Sequence, residues 1–147
     1  MAATPQRTSG SVARDDYLEQ IYHLMEQKGY ARAVDISRNL GISQSSVTNM
    51  LQKLDAEGLL NYERYRGITL TEQGTEIAKA IIARHEMLTR FLRLFGIAEE
   101  TIYADVEGME HHVSRATLEA IRALTQHLET NPATLKEIVS QMSLPES

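Results

Sequence analysis

Six residues of this chain, Asp16, Glu19, His85, Glu107, Glu110 and His111, are of the types that hold a divalent cation. They are densest in Glu107-Gly108-Met109-Glu110-His111-His112, where three ligand candidates fall within five residues and none offers sulfur. The chain has no cysteine, so a disulfide framework and a thiolate zinc site are both excluded. Carboxylate and imidazole donors without thiolate suit a hard, oxygen-preferring ion.

These candidates need helices to position them. Glu-x-x-Glu-His works because positions i, i+3 and i+4 of a helix are neighbours on one surface. The segment Glu99 to Val113 has an apolar stripe in Ile102, Val106, Met109 and Val113. Glu110, Glu107 and His111 lie about 80°, 140° and 180° around from it, while His112 lies on the other side. His111, not His112, is therefore the candidate ligand. Three such groups repel and desolvate one another unless a cation supplies the opposite charge; a solvated acidic face is the other reading.

His85 belongs to a long helix opened at Thr71 and reaching about Gly96, whose stripe runs Ile77, Ala78, Ile81, Ile82, Leu88, Phe91, Leu92 and Phe95. A lone histidine on such a stripe reads as a core residue, and a metal nearby changes that reading. Asp16 and Glu19, at i and i+3, lie on the polar side of a helix that begins at Asp15 and ends at Gly29, opposite Tyr17, Leu18, Ile21, Leu24 and Met25. As a pair they read as solvent-facing unless another helix covers them.

Between these helices the pattern changes. A short helix from Val34 to Leu40, a Gly41-Ile42 turn and a second helix with Ser43 as N-cap make a helix-turn-helix. Val47, Met50, Leu51 and Leu54 form the buried stripe of the second helix. The opposite face presents Ser45, Thr48, Asn49 and Gln52, with Gln44 and Lys53 at its edges and no carboxylate, which suits a major groove. Two short strands, Leu59 to Tyr62 and Gly67 to Leu70, flank Glu63-Arg64-Tyr65-Arg66 and make a wing whose arginines would meet phosphate or the minor groove. With Arg32, Arg38 and Ser46, these residues are the expected DNA contacts: Arg32, Arg38, Gln44, Ser45, Ser46, Thr48, Asn49, Gln52, Lys53, Arg64, Tyr65 and Arg66.

The expected fold is mainly α: a flexible tail over 1–13, a winged helix-turn-helix domain with a two-stranded wing over 14–73, and an all-helical metal-binding and dimerisation domain over 74–147. Two further amphipathic helices, Ser114 to Leu128 and Ala133 to Met142, carry more apolar surface than 147 residues bury alone, and a homodimer is the natural outlet. The net charge of −5 would argue against a nucleic-acid partner were it uniform. It is not: residues 1–75 hold eight basic and nine acidic side chains, and 76–147 hold seven and eleven. No apolar run approaches the roughly 20 residues of a membrane span and no secretory leader is evident, so the expected location is the cytoplasm, with no membrane partner.

The chain resembles the diphtheria-toxin-repressor family of metal-dependent transcriptional repressors, on its manganese-sensing side. The resemblance covers residues 14 to about 130. It rests on Asp16-Tyr17-Leu18-Glu19-Gln20-Ile21-Tyr22, Lys28-Gly29-Tyr30-Ala31-Arg32, Ser45-Ser46-Val47-Thr48, Tyr65-Arg66-Gly67, Arg84-His85-Glu86 and Asp105-Val106-Glu107-Gly108-Met109-Glu110-His111-His112.

The resemblance implies a homodimeric repressor of manganese-uptake genes that binds a palindromic double-stranded operator and takes no small organic substrate. It implies two adjacent Mn²⁺ ions per subunit, held by Asp16, Glu19, His85, Glu107, Glu110 and His111, with Glu107 and Glu110 bridging. An iron-responsive regulator of the same family is the alternative. Iron-sensing relatives place softer thioether and thiol groups where this chain has Asp16 and Glu107, whereas carboxylates favour Mn²⁺. A di-metal enzyme on a helical bundle would need two Glu-x-x-His elements, which do not occur here, so no enzymatic activity is expected.

Overall fold

The computed structural model describes residues 9–63 and 65–145. Helices α1 (Ser9–Lys28), α2 (Ala33–Leu40) and α3 (Gln44–Ala56) precede strands β1 (Leu60–Glu63) and β2 (Gly67–Leu70). Helices α4 (Glu72–Arg93), α5 (Glu99–Met109), α6 (Arg115–Thr130) and α7 (Pro132–Ser140) follow. The backbone divides into two compact units, 1–82 and 83–147, with α4 running through the division. Among the described residues, no helix is long and apolar enough to cross a membrane.

In the first unit, Leu18, Ile21, Ile36, Val47, Leu51 and Leu54 are fully buried, joined by Leu60 and Ile68 from the strands. Full burial of each such side chain contributes about 1.5–3 kcal/mol. Expectation and structure differ at the start: α1 begins at Ser9, so residues 9–13 of the expected tail are helical, and residues 1–8 lie outside the described part. Ser9-Gly10-Ser11 carries no apolar period, but adding a turn to a formed helix costs far less than nucleating one.

The helix-turn-helix is set by its caps. Gly41 takes the left-handed conformation (φ 66°) and its N–H bonds to the Ser37 carbonyl, which stops α2 sharply. Two residues later the Ser43 side chain accepts the Ser46 N–H and starts α3.

The wing is antiparallel, with Leu60 opposite Leu70 and Tyr62 opposite Ile68. A contact the sequence did not announce steadies it: Ala31 and Ile68 exchange both backbone hydrogen bonds, each 2.8 Å, as a third edge beside β2. Gly67 sits at that junction with φ +88°, and an added Cβ would lie 2.8 Å from the Tyr30 ring.

In the second unit, Leu88, Ile102 and Val106 form the buried core, with Leu92, Ile97, Met109, Val113, Leu118 and Ile121 packed against them. The turn between α4 and α5 is spanned by Arg93, whose Nε and Nη2 donate to the two carboxylate oxygens of Glu99 at 2.7 and 3.0 Å. Pro132 fits the first turn of α7, where its missing N–H is not needed. Tyr103, Leu124 and Ile138 remain exposed, an uncovered apolar surface on a single chain.

Candidate metal centre and DNA-reading surface

The second unit brings His85, from α4, together with Glu107 and Glu110, from the end of α5. Each offers a ligand atom, and the three atoms lie within 4.8 Å of one another. His85 Nδ1 is 2.7 Å from Glu110 Oε2, with the imidazole N–H donating to the carboxylate. His111 Nε2 lies 3.5 Å from the other oxygen of Glu110. Glu110 is only 2 % exposed and His111 7 %.

A buried carboxylate crowded by another carboxylate and two imidazoles is what a divalent cation stabilises. The donors are oxygen and imidazole nitrogen without sulfur, so this set fits the ion the sequence led us to expect.

Of the two adjacent histidines, His111 is buried and His112 exposed, and the helix is shorter than its apolar stripe. α5 ends at Met109; Glu110 is its C-cap with helical dihedrals (φ −60°, ψ −26°), and His111 lies in the following turn. Because Glu110 still continues the helical path, His111 turns inward and His112 is exposed. Gly108 and the short polar turn end α5 here rather than at Val113.

Asp16 and Glu19 lie one turn apart on α1 in the first unit, both half-buried. Glu19 is 3.7 Å from His23, one turn further along. The neighbouring Tyr17 and Leu18 belong to the first unit's core, so the rotation of α1 about its axis is fixed, and with it the directions of Asp16 and Glu19.

On the reading helix α3, Gln44, Ser45, Ser46, Asn49, Gln52 and Lys53 are exposed, as a groove-facing surface requires. Some of its hydroxyls already have partners. Thr48 Oγ1 donates to the Gln44 carbonyl at 3.0 Å, and Ser43 Oγ sits 3.2 Å from Ser45 Oγ and 2.9 Å from Ser46 Oγ. The amides, Asn49, Gln44 and Gln52, are thus the longer-reaching donors and acceptors on this face.

In the wing, Tyr65 is 95 % exposed and Arg66 Nε lies 3.6 Å from Glu63; Arg64 lies outside the described residues. Arg32 stacks 5.3 Å over the Tyr30 ring, and Arg38 pairs with Asp35 at 3.8 Å. Tyr30, Arg32, Tyr65, Arg66 and Gly67 line a cavity of about 590 Å³ at the wing's base.

One residue the sequence left without a role is Arg84. Its Nη1 donates to the backbone carbonyl of Glu110 at 3.0 Å. The only signal in the sequence is its place beside His85, since a bond to a backbone carbonyl leaves no pattern at its acceptor.

A helix-turn-helix with a wing, followed by a helical unit holding a carboxylate and imidazole cluster, defines a metal-binding winged-helix DNA-binding protein. Residues 11–68 match the family described as "Iron dependent repressor, N-terminal DNA binding domain". Residues 71–138 match its companion, "Iron dependent repressor, metal binding and dimerisation domain". The chain therefore belongs to the iron-dependent repressor family, the diphtheria-toxin-repressor group its motifs resemble; it is a metal-binding, dimerising, DNA-binding transcriptional regulator and not an enzyme.

The chain is 50 % identical over 124 residues to the HTH-type transcriptional regulator MntR of Lysinibacillus sphaericus, covering 84 % of this chain and 89 % of that protein. It is 50 % identical over 126 residues to the regulator of the same name from Bacillus subtilis, covering 86 % and 89 %. Among solved structures, the apo form of the manganese-activated repressor ScaR is similar at 30 % identity and a TM-score of 0.66, over 74 % of this chain. This chain spans about half the length of that relative, 52 %.

Proposed function

We propose that the protein represses manganese-uptake genes, and that Asp16, Glu19, His85, Glu107, Glu110 and His111 together hold the Mn²⁺ that licenses operator binding. It is a manganese-responsive repressor of its family. The observation that carries the reading is the convergence of His85, Glu107 and Glu110, a donor set without sulfur at the end of a dimerisation-domain helix. A bound dication supplies the positive charge that lets these carboxylates share one small volume. We place two ions per subunit, on the family resemblance and on a donor count of six, with Glu107 and Glu110 bridging.

The functional division falls at 73/74. Residues 14–73 read DNA, and 74–147 sense metal and dimerise; the matched family segments, 11–68 and 71–138, support that division. Ligands on α1 belong to the reading domain, and those on α4 and α5 to the sensing domain. A shared ligand set restricts how the two domains move, so that a homodimer presents its two α3 helices to successive major grooves of a palindromic operator, about 34 Å apart. The acceptors that recognise bases are the exposed amides of α3, while Arg32, Arg38, Lys53, Arg64 and Arg66 neutralise phosphates. The sequence expectation of a cytoplasmic location follows from that role.

Iron is the second reading, favoured by the family's own description. Titration of a labelled duplex, selected from a random pool with the Mn²⁺-loaded protein, separates the two. In Mn²⁺ the affinity is expected to exceed that in chelator by about 5- to 150-fold, the range of ordinary allosteric coupling. Equal affinity in chelator and in Mn²⁺ would refute the switch. A larger enhancement by Fe²⁺ under anaerobic conditions would assign the protein to iron.

A further inference from the structure

Arg84 and His85 are consecutive on α4, and both hold the same residue of α5. Arg84 Nη1 donates to the Glu110 carbonyl at 3.0 Å, and His85 Nδ1 donates to the Glu110 carboxylate at 2.7 Å. Backbone and side chain of one ligand are thus gripped from one turn of the neighbouring helix.

Glu110 is where α5 stops. Its own N–H still reaches the Val106 carbonyl at 2.9 Å, and the amides of His112 and Val113, further along, both turn back to the Met109 carbonyl at 3.0 Å. A helix end leaves its last carbonyls without intrahelical donors and carries a partial negative charge. Arg84 takes the Glu110 carbonyl and brings a positive charge to it. Gly108, two residues before, contributes no side chain to this turn, so the Arg84 bond adds to the hold that His85 has on the Glu110 carboxylate.

We propose that Arg84 is a positioning residue for the metal centre. It binds no ion; it holds the C-terminal turn of α5 so that Glu107, Glu110 and His111 stand in place before the ion arrives. The inference rests on reading this cluster as a metal centre. Ordering several flexible ligands costs conformational entropy on binding, and a turn already fixed reduces that cost. Charge alone would act in the opposite direction, since a guanidinium repels a nearby dication. Removing Arg84 therefore tightens Mn²⁺ binding if only its charge matters, and weakens it if its clamp matters.

The test compares the full-length wild type with Arg84→Met, which keeps the apolar stem and loses the donors, and Arg84→Lys, which keeps one charged donor group. Free Mn²⁺ is followed by electron paramagnetic resonance, and amide hydrogen exchange is measured on metal-free protein. Arg84→Met is expected to bind Mn²⁺ about 10- to 100-fold more weakly, the usual effect of losing an outer partner of a metal ligand. Amides 111–113 should exchange faster while those of Leu18, Ile21 and Leu51 keep their protection, which separates a loosened turn from a loosened fold. Arg84→Lys should recover part of both losses. Unchanged or tighter Mn²⁺ binding by a folded Arg84→Met protein would overturn the proposal. If the wild type itself bound no Mn²⁺, the metal-centre reading would fail by that result, and wild-type protection of amides 111–113 in Arg84→Met would separately dispose of the clamp.

Discussion

Glu110 is the residue on which the sensing domain turns, because its carboxylate, its carbonyl and its helical N–H are each engaged at a different point: His85, Arg84 and Val106. Glu107, by contrast, is exposed, and it is the position where a change of donor tests selectivity most cleanly. Replacing Glu107 with Cys exchanges a hard oxygen for a soft thiolate, so the order of metals that promote duplex binding should shift from Mn²⁺ toward Fe²⁺ and Zn²⁺. An unaltered metal order in that variant would mean that donor hardness at 107 does not set selectivity. Arg66 offers a second residue-level test, being largely solvent-exposed and only loosely paired with Glu63. Arg66→Ala should weaken binding to all duplexes similarly and reduce the slope of log affinity against log salt by about 1; a slope equal to wild type would remove Arg66 from the phosphate contacts. At this scale the sequence was legible wherever side-chain type and helical spacing carry the information, as for the convergence of Glu107 and Glu110 and the burial of His111 rather than His112. It was illegible for Arg84, whose acceptor is a backbone carbonyl common to every residue type.

The elements show the same division between what periodicity encodes and what only tertiary contact encodes. The caps of the helix-turn-helix, Gly41 and Ser43, could be read from residue type, because one needs a left-handed dihedral and the other a capping oxygen. The backbone exchange between Ala31 and Ile68 could not, since it joins a loop to a strand far away in the chain without any distinctive side chain. Gly67 makes that junction testable. Its φ of +88° and the 2.8 Å approach of an added Cβ to Tyr30 predict that Gly67→Ala destabilises the first unit. The backbone conformation alone accounts for roughly 1–2 kcal/mol, and urea denaturation would measure it; a midpoint equal to wild type would show that the wing shifts freely on its base. The turn from α4 to α5 invites a test by pH. The Arg93 hydrogen bonds hold the Glu99 carboxyl below its ordinary range, so its contribution is present above the carboxylate's unfolded pKa and is lost as pH falls through the lower folded value. In a ¹³C titration the Glu99 midpoint should lie below the ordinary value of a glutamate carboxyl, and Arg93→Ala should raise it toward that value. Both groups are exposed, and the expected effect on stability is correspondingly small.

For the whole molecule, the decisive property is that α4 belongs to both compact units: its first half contributes Ala78 to the core that supports the wing, and its second half carries His85 and Leu88. The candidate ligands are likewise divided, with Asp16 and Glu19 in the reading half and the other four in the sensing half. If occupation of such a divided site favours the arrangement that binds DNA, thermodynamics requires the reverse effect at equal strength. Saturating the dimer with its selected duplex should raise the affinity for Mn²⁺, and the product of the enhancements over all bound ions should equal the factor by which Mn²⁺ tightens duplex binding. Duplex titrations with and without Mn²⁺, by fluorescence anisotropy, give one side of this equality. Mn²⁺ titrations with and without duplex, by electron paramagnetic resonance at fixed ionic strength, give the other. Salt must be held constant because the phosphate contacts make the duplex affinity itself steeply salt-dependent. Mn²⁺ affinity that is the same with and without saturating duplex would mean that the ion binds without coupling to the reading domain, and that Asp16 and Glu19 do not link the two functions.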